Sequence, residues 1–162
     1  MQPDVVYEEK IFQKGLTAIF IVITLIFFAL WIYQAFIGPV GTNPAPNIIF
    51  LLMFLVFAFI AATFNTLAIE ITSEFISVGY GIFRRQISWE KIEDCYPDDA
   101  SAVIYGGWGI RFGRFKGKWR LIYDTVGSPR VVLLLTEGRF REFVFSTKNP
   151  HEVIELVKEH IL

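Results

Sequence analysis

Two uninterrupted apolar runs, Leu16–Ile37 and Ile48–Leu67, occupy the first part of the chain, and beyond them the pattern turns to alternation. Neither run contains a charged residue. At about 1.5 Å of rise per residue, each reaches roughly 30 Å, the thickness of a bilayer's hydrocarbon core. In water, a helix apolar on every face must be covered on every face. A chain of 162 residues has too little protein to surround two of them. The runs therefore predict a transmembrane hairpin with helices at about 16–37 and 48–67. The first run is too long for a signal core, and Gln34-Ala35-Phe36-Ile37-Gly38 makes a poor cleavage site, so it is expected to stay in place.

The connector between the runs, GPVGTNPAPN, has three prolines and no charge, and reads as a tight extracytoplasmic turn. Lys10 and Lys14 precede the first run, while Arg84, Arg85 and Lys91 follow the second. The positive-inside rule then puts both termini in the cytoplasm of a multi-pass protein of the cell membrane, with Trp31 and Tyr33 at the outer interface.

After Asn65-Thr66 the apolar period falls to two. Leu67, Ile69 and Ile71 alternate with polar neighbours, followed by Ile76, Val78 and Tyr80, then by Phe83, Arg85, Ile87 and Trp89. Ile110–Arg114, Trp119–Thr125, Arg130–Thr136 and Arg141–Ser146 continue the series between turns at Gly79 and Gly81, Lys116-Gly117, Gly127-Ser128-Pro129 and Glu137-Gly138. Short turns between successive strands imply antiparallel meanders. Val131–Leu135, apolar on both parities, is expected to be the most buried strand. The chain closes with a helix. Asn149 can cap it, Pro150 suits its first position and Glu152 stands three residues after the cap, while Val153, Ile154, Val157 and Ile161 form an apolar stripe. The fold class predicted is an α+β membrane protein: residues 1–67 as N-terminal segment and hairpin, and residues 68–162 as a cytoplasmic β-barrel capped by the helix.

Several segments resemble a known group. Ser88-Trp89-Glu90-Lys91-Ile92 after a strand, Tyr105-Gly106-Gly107-Trp108-Gly109-Ile110-Arg111, and Ser146-Thr147-Lys148-Asn149-Pro150 before the last helix look like prokaryotic two-transmembrane-helix membrane proteins with a bacterial PH-like domain. The resemblance covers about residues 68–162 and implies a PH-like antiparallel barrel. It carries over no catalytic residue.

Charge and chemistry narrow the function. The formal net charge is −1, and residues 68–162 hold as many acids as bases, so no global field draws the chain to nucleic acid. The single cysteine, Cys95, excludes an internal disulfide and a thiolate zinc cage, and the acids beside it raise its pKa. His151 and His160 stand nine positions apart on opposite faces of the last helix and cannot share a metal. Asp98-Asp99, with Glu93 and Asp94 nearby, have oxygens of the type a hard cation takes, but following Tyr96-Pro97 the aspartates read as a solvated loop. No phosphate loop, metalloprotease or nucleophile-elbow motif occurs, and neither an enzyme nor a cofactor is expected.

One segment stands out, RFGRFKGKWR. Folded about Lys116-Gly117, it is expected to gather Arg111, Arg114, Lys116, Lys118 and Arg120 at one tip, with Trp119 beside them, as a contact for anionic lipid headgroups. Each cation near an anionic surface contributes about 1 kcal/mol. The competing expectation is a basic loop in water with Phe112 and Trp119 in the barrel core. The expected role is a non-enzymatic scaffold or interaction module held at the bilayer. The alternative is a structural subunit of a homo-oligomer or larger membrane complex, whose helices pack through Ala58, Ala61 and Ala62.

Overall fold

The computed structural model describes residues 4–100 and 107–161. Its elements in chain order are β1 (Val5–Phe12), α1 (Lys14–Phe36), α2 (Asn47–Thr63), β2 (Thr66–Thr72), β3 (Phe75–Tyr80), β4 (Phe83–Ser88), a 3-10 turn (Trp89–Lys91), β5 (Ile92–Pro97), β6 (Gly109–Phe115), β7 (Lys118–Asp124), β8 (Arg130–Leu135), β9 (Glu142–Ser146) and α3 (Pro150–Ile161). The chain forms two compact units, residues 13–65 and residues 1–12 with 66–162. Tyr105 and Gly106 of the YGGWGIR segment lie outside the described residues.

The helical unit has an unusual surface. α1 runs for 23 residues and buries none of them, and α2 buries only Thr63. α1 is long and apolar enough to cross a membrane, while α2, at 17 residues, falls in a shorter apolar class. The two helices pack against each other through aromatic rings: Phe27 stacks on Phe57 at 5.5 Å and Phe28 meets Phe54 at 5.1 Å. As numbering rises along α1 it falls along α2, so they run antiparallel. Gln34 donates to the Ala45 carbonyl at 2.6 Å and ties the connector to the helix end.

The second unit contains two sheets. The first has the order β1-β2-β3-β4, every pair antiparallel. The second has the order β5-β8-β9-β7-β6, in which β9 runs parallel to β7. The expected antiparallel barrel is thus corrected: the described residues form two sheets, one of them mixed, and among them no barrel closes. The reason is where β9 inserts. The Glu137-Gly138 turn folds β9 back antiparallel onto β8, and its other side takes β7, so the link from β7 to β8 passes over an intervening strand. Apolar alternation sets which face a residue takes, and it is silent on which strand lies beside which.

β1 is an element the alternation reading does not find. It pairs with β2 from Phe12↔Thr66 onward, so the N-terminal residues belong to the sheet, and in chain order the helices come between these two strands. Its inward positions are Tyr7, Glu9 and Ile11, and the carboxylate in the middle breaks the apolar rhythm. Glu9 is buried because it is bonded: it accepts from the Thr147 hydroxyl at 2.6 Å and the Lys148 N–H at 2.7 Å. β4 also ends one residue before the alternation suggests. Trp89 leaves the strand in the 3-10 turn, where its indole N–H donates to the Thr72 carbonyl at 3.2 Å.

The core matches the apolar pattern. Val131, Val132 and Leu133 of β8 and all five residues of β9 are buried, as central strands of a sheet covered on both faces must be. On one side lie Leu121, Tyr123, Phe143 and Phe145, with Tyr123 edge-on to Phe143 at 5.1 Å. On the other lie Ile122, Val132 and Val144 with Ala100, flanked by Tyr96 and Phe115. α3 packs on β5 and β8 through Val153 and Val157.

Candidate functional site

The β6–β7 hairpin turns at Lys116-Gly117, where both residues take left-handed φ, 47° and 84°. Two such residues make the mirror-image turn that suits the twist of a two-residue hairpin, with Phe115↔Lys118 closing it. Alternation then divides the basic segment between two faces. Arg111, Lys118 and Arg120 share the side of Phe115, while Arg114 stands opposite Trp119 on the side of Phe112.

The first set is held by acids. Asp98 carries two arginines on one carboxylate: Arg120 Nη1 at 3.1 Å and Arg130 Nε at 2.9 Å. Arg120 also bonds Glu142 through Nε and lies over the Phe115 ring, 4.3 Å from its centroid. Lys118 reaches the same Glu142 at 3.3 Å. Arg111 pairs with Asp124 at 3.4 Å and donates to the Gly107 carbonyl at 2.6 Å. Burial lowers the Arg111 pKa from its ordinary value, and Asp124 opposes that shift. Asp124 is fixed in turn by the Ser146 hydroxyl at 2.7 Å.

Two sequence expectations are corrected here. Arg120, expected at a lipid-facing tip, is 4% exposed, and its guanidinium is committed to Asp98 and Glu142. Asp98, expected in a solvated loop, has a buried side chain between Arg120 and Arg130. No local motif marks this network, because its members lie 22 and 32 positions apart in the chain. The segments themselves carried a hint: Arg120 and Arg130 stand on β7 and β8, strands that also bury Ile122 and Val132, and buried arginines require acids at the same level.

The second set remains in the open. Trp119 is 48% exposed and Phe112 64%, so neither enters the core; Phe112 stacks instead on Phe140 at 5.0 Å. Arg114 is exposed and donates to the Gly117 carbonyl at 3.3 Å. Lys116, at the turn, has its ammonium 5.3 Å from the Phe115 ring centroid. The hairpin therefore shows aromatic side chains and two loosely held cations on one face and its tip. Its opposite face borders a cavity of about 230 Å³ lined by Tyr96, Phe115, Lys118, Arg120 and Glu142. Asp98, Asp99 and Lys116 also line it, and its Lys118 and Arg120 meet carboxylates.

The other candidates fall elsewhere. Cys95 is buried, and desolvation, with Asp94 as a lesser cause, pushes its thiol up to about 12. His160 stacks on Trp89 with centroids 4.6 Å apart, and its Nδ1 meets the Leu156 carbonyl at 2.7 Å; His151 is exposed in the first turn of α3. Among the described residues no group of three or more His, Cys, Asp or Glu side chains is placed to hold a metal ion. Comparison of the chain with protein-family models, with curated proteins and with solved structures finds no match in any of the three.

Proposed function

We propose that this chain is a membrane-anchored, non-enzymatic interaction module: α1 and α2 lie in the bilayer, and the two-sheet unit works at the cytoplasmic face. The observation that carries this reading is α1, 23 residues long with none buried. The core helix of a water-soluble fold is covered by its own protein, and this one is not. Its position near the N-terminus would also suit a signal sequence, but removal after α1 would delete β1 and with it Glu9, whose carboxylate holds Thr147 and Lys148. The basic residues on either side of the helices favour cytoplasmic termini. A PH-like relationship has support from the helix packed on the sheets at the C-terminus, although the sheets do not close.

Lipid contact, on this reading, belongs to the open face and tip of the hairpin: Arg114, Lys116 and Trp119, with Phe112. The test uses the full chain, because residues 68–162 alone lack β1. Trp119→Cys, labelled with a nitroxide and reconstituted in vesicles, is expected to gain contact with oxygen in the membrane when phosphatidylglycerol is added to phosphatidylcholine. A label equally wetted in both vesicles removes the lipid part of the proposal. A chain that stays in solution without detergent removes the anchor itself.

The uncovered apolar faces of α1 and α2 also favour a second reading, a subunit of a homo-oligomer or larger membrane complex. Molecular size in mild detergent separates the two, since a monomer counts against assembly.

A further inference from the structure

Arg84, Arg85 and Lys91 have so far served only as topological charges, yet the fold brings them together. They line a cleft of about 440 Å³ with Gln86, Leu135 and Glu137, between β4 and the β8–β9 turn. Among the described residues β4 pairs with β3 alone, so its other edge has backbone donors and acceptors without a ladder partner there. Successive strand residues point to opposite faces. A cleft touching Arg84, Arg85 and Gln86 in a row therefore runs along that edge and collects side chains from both faces.

The cations in it are unevenly engaged. Lys91 bonds Glu137 at 2.8 Å, with both side chains well exposed, an arrangement that holds the ammonium only weakly. Arg84 meets Glu70 at 3.7 Å, beyond hydrogen-bonding range. Arg85 is half-buried, and its guanidinium lies over the Phe143 ring at 5.7 Å. Packing over a ring engages the face of the guanidinium and leaves its N–H edge free. Among the described residues no carboxylate meets that edge. The cleft thus offers a fork of donors held in place by an aromatic support, with a second guanidinium reaching its lining from the other face of β4, an ammonium, and one acid already bonded to that ammonium.

We propose that this cleft binds a phosphate-type oxyanion, with Arg85 as the bidentate donor and Arg84 and Lys91 as flanking charges. A tetrahedral dianion suits the set because it offers several oxygens to donors arriving from different directions. The group belongs either to a soluble phosphate compound or to a lipid headgroup. The cleft lies wholly within the two-sheet unit and is separate from the β6–β7 hairpin, so it stands whether or not that hairpin touches lipid.

The experiment is calorimetric titration of inorganic phosphate, at low salt, into the full chain held in nanodiscs of phosphatidylcholine. Saturable heat is expected. Arg85→Gln should weaken binding at least tenfold. Because Arg85 also packs on Phe143, the double variant Arg84→Gln/Lys91→Gln, at exposed positions, serves as an independent check and should weaken it several-fold. Lys158→Gln, on the surface of α3, should leave binding unchanged. In discs containing phosphatidic acid, loss of the heat assigns the cleft to a lipid phosphate, and its persistence assigns the cleft to a soluble one. Absence of saturable heat in phosphatidylcholine discs overturns the proposal, as does heat that the double variant retains in full.

Discussion

Leu25 in α1 and Leu133 in β8 are the same residue in opposite circumstances. Leu25 is 59% exposed and Leu133 is wholly covered. The contrast extends to the two units. In the sheets, apolar side chains meet one another across and between strands, and the charges that enter are paired, as Asp98 is with Arg120 and Arg130. In the helices, apolar side chains face outward along their whole length, and rings meet along the seam between them. One unit makes its own apolar solvent. The other depends on a surrounding that the chain does not supply, which is why a bilayer is proposed for it.

The largest effect expected concerns the charges inside the self-sufficient unit. Asp98→Ala leaves two guanidinium groups without their shared carboxylate and should cost about 3–5 kcal/mol, the range for breaking a buried pair from one side. Denaturant unfolding followed by tryptophan fluorescence measures it, and a loss below 1 kcal/mol would mean that water already reaches the pair.

Next comes the leucine pair itself. Leu133→Ala should lower the stability of the sheets by about 2–5 kcal/mol, while Leu25→Ala leaves their unfolding midpoint where it is. Equal effects at the two positions would erase the distinction between the units.

The smallest effect is read at Cys95. Burial holds its pKa near 12 in the folded chain, against about 8.5 for an open thiol. The folded state thus keeps the proton that the unfolded state gives up. The associated stability is full below about pH 8.5 and declines as pH rises toward 12. Native protein at pH 8 should react with a thiol reagent far more slowly than denatured protein; comparable rates would mean that this unit opens readily.

The sheets and the hairpin turn were legible for a physical reason. Period-two alternation reports which face of a strand is covered, so Leu67, Ile69 and Ile71, or the doubly apolar Val131–Leu135, announce themselves. Lys116-Gly117 is similarly local, since a turn is decided by its own dihedral angles. Glu9 shows where the signal stops. An acid on an inward position looks like the end of a strand until Thr147 and the Lys148 N–H, more than 130 residues away, arrive to bond it. The basic segment failed as a single patch for the same reason: spacing put five cations together, and only the neighbouring strands decided which of them would meet acids.

From its residue order alone, this protein owes two apolar helices, a run of strands and a terminal amphipathic helix, because each rests on a pattern that repeats within a few positions. The tertiary structure alone decided that β9 enters between β7 and β8, that the sheets stay open, that Val5–Phe12 completes the first of them, and that Arg120 is bound inside while Trp119 stays out. These outcomes depend on partners far apart in the chain, whose attraction exists only after the backbone has brought them within a few ångströms.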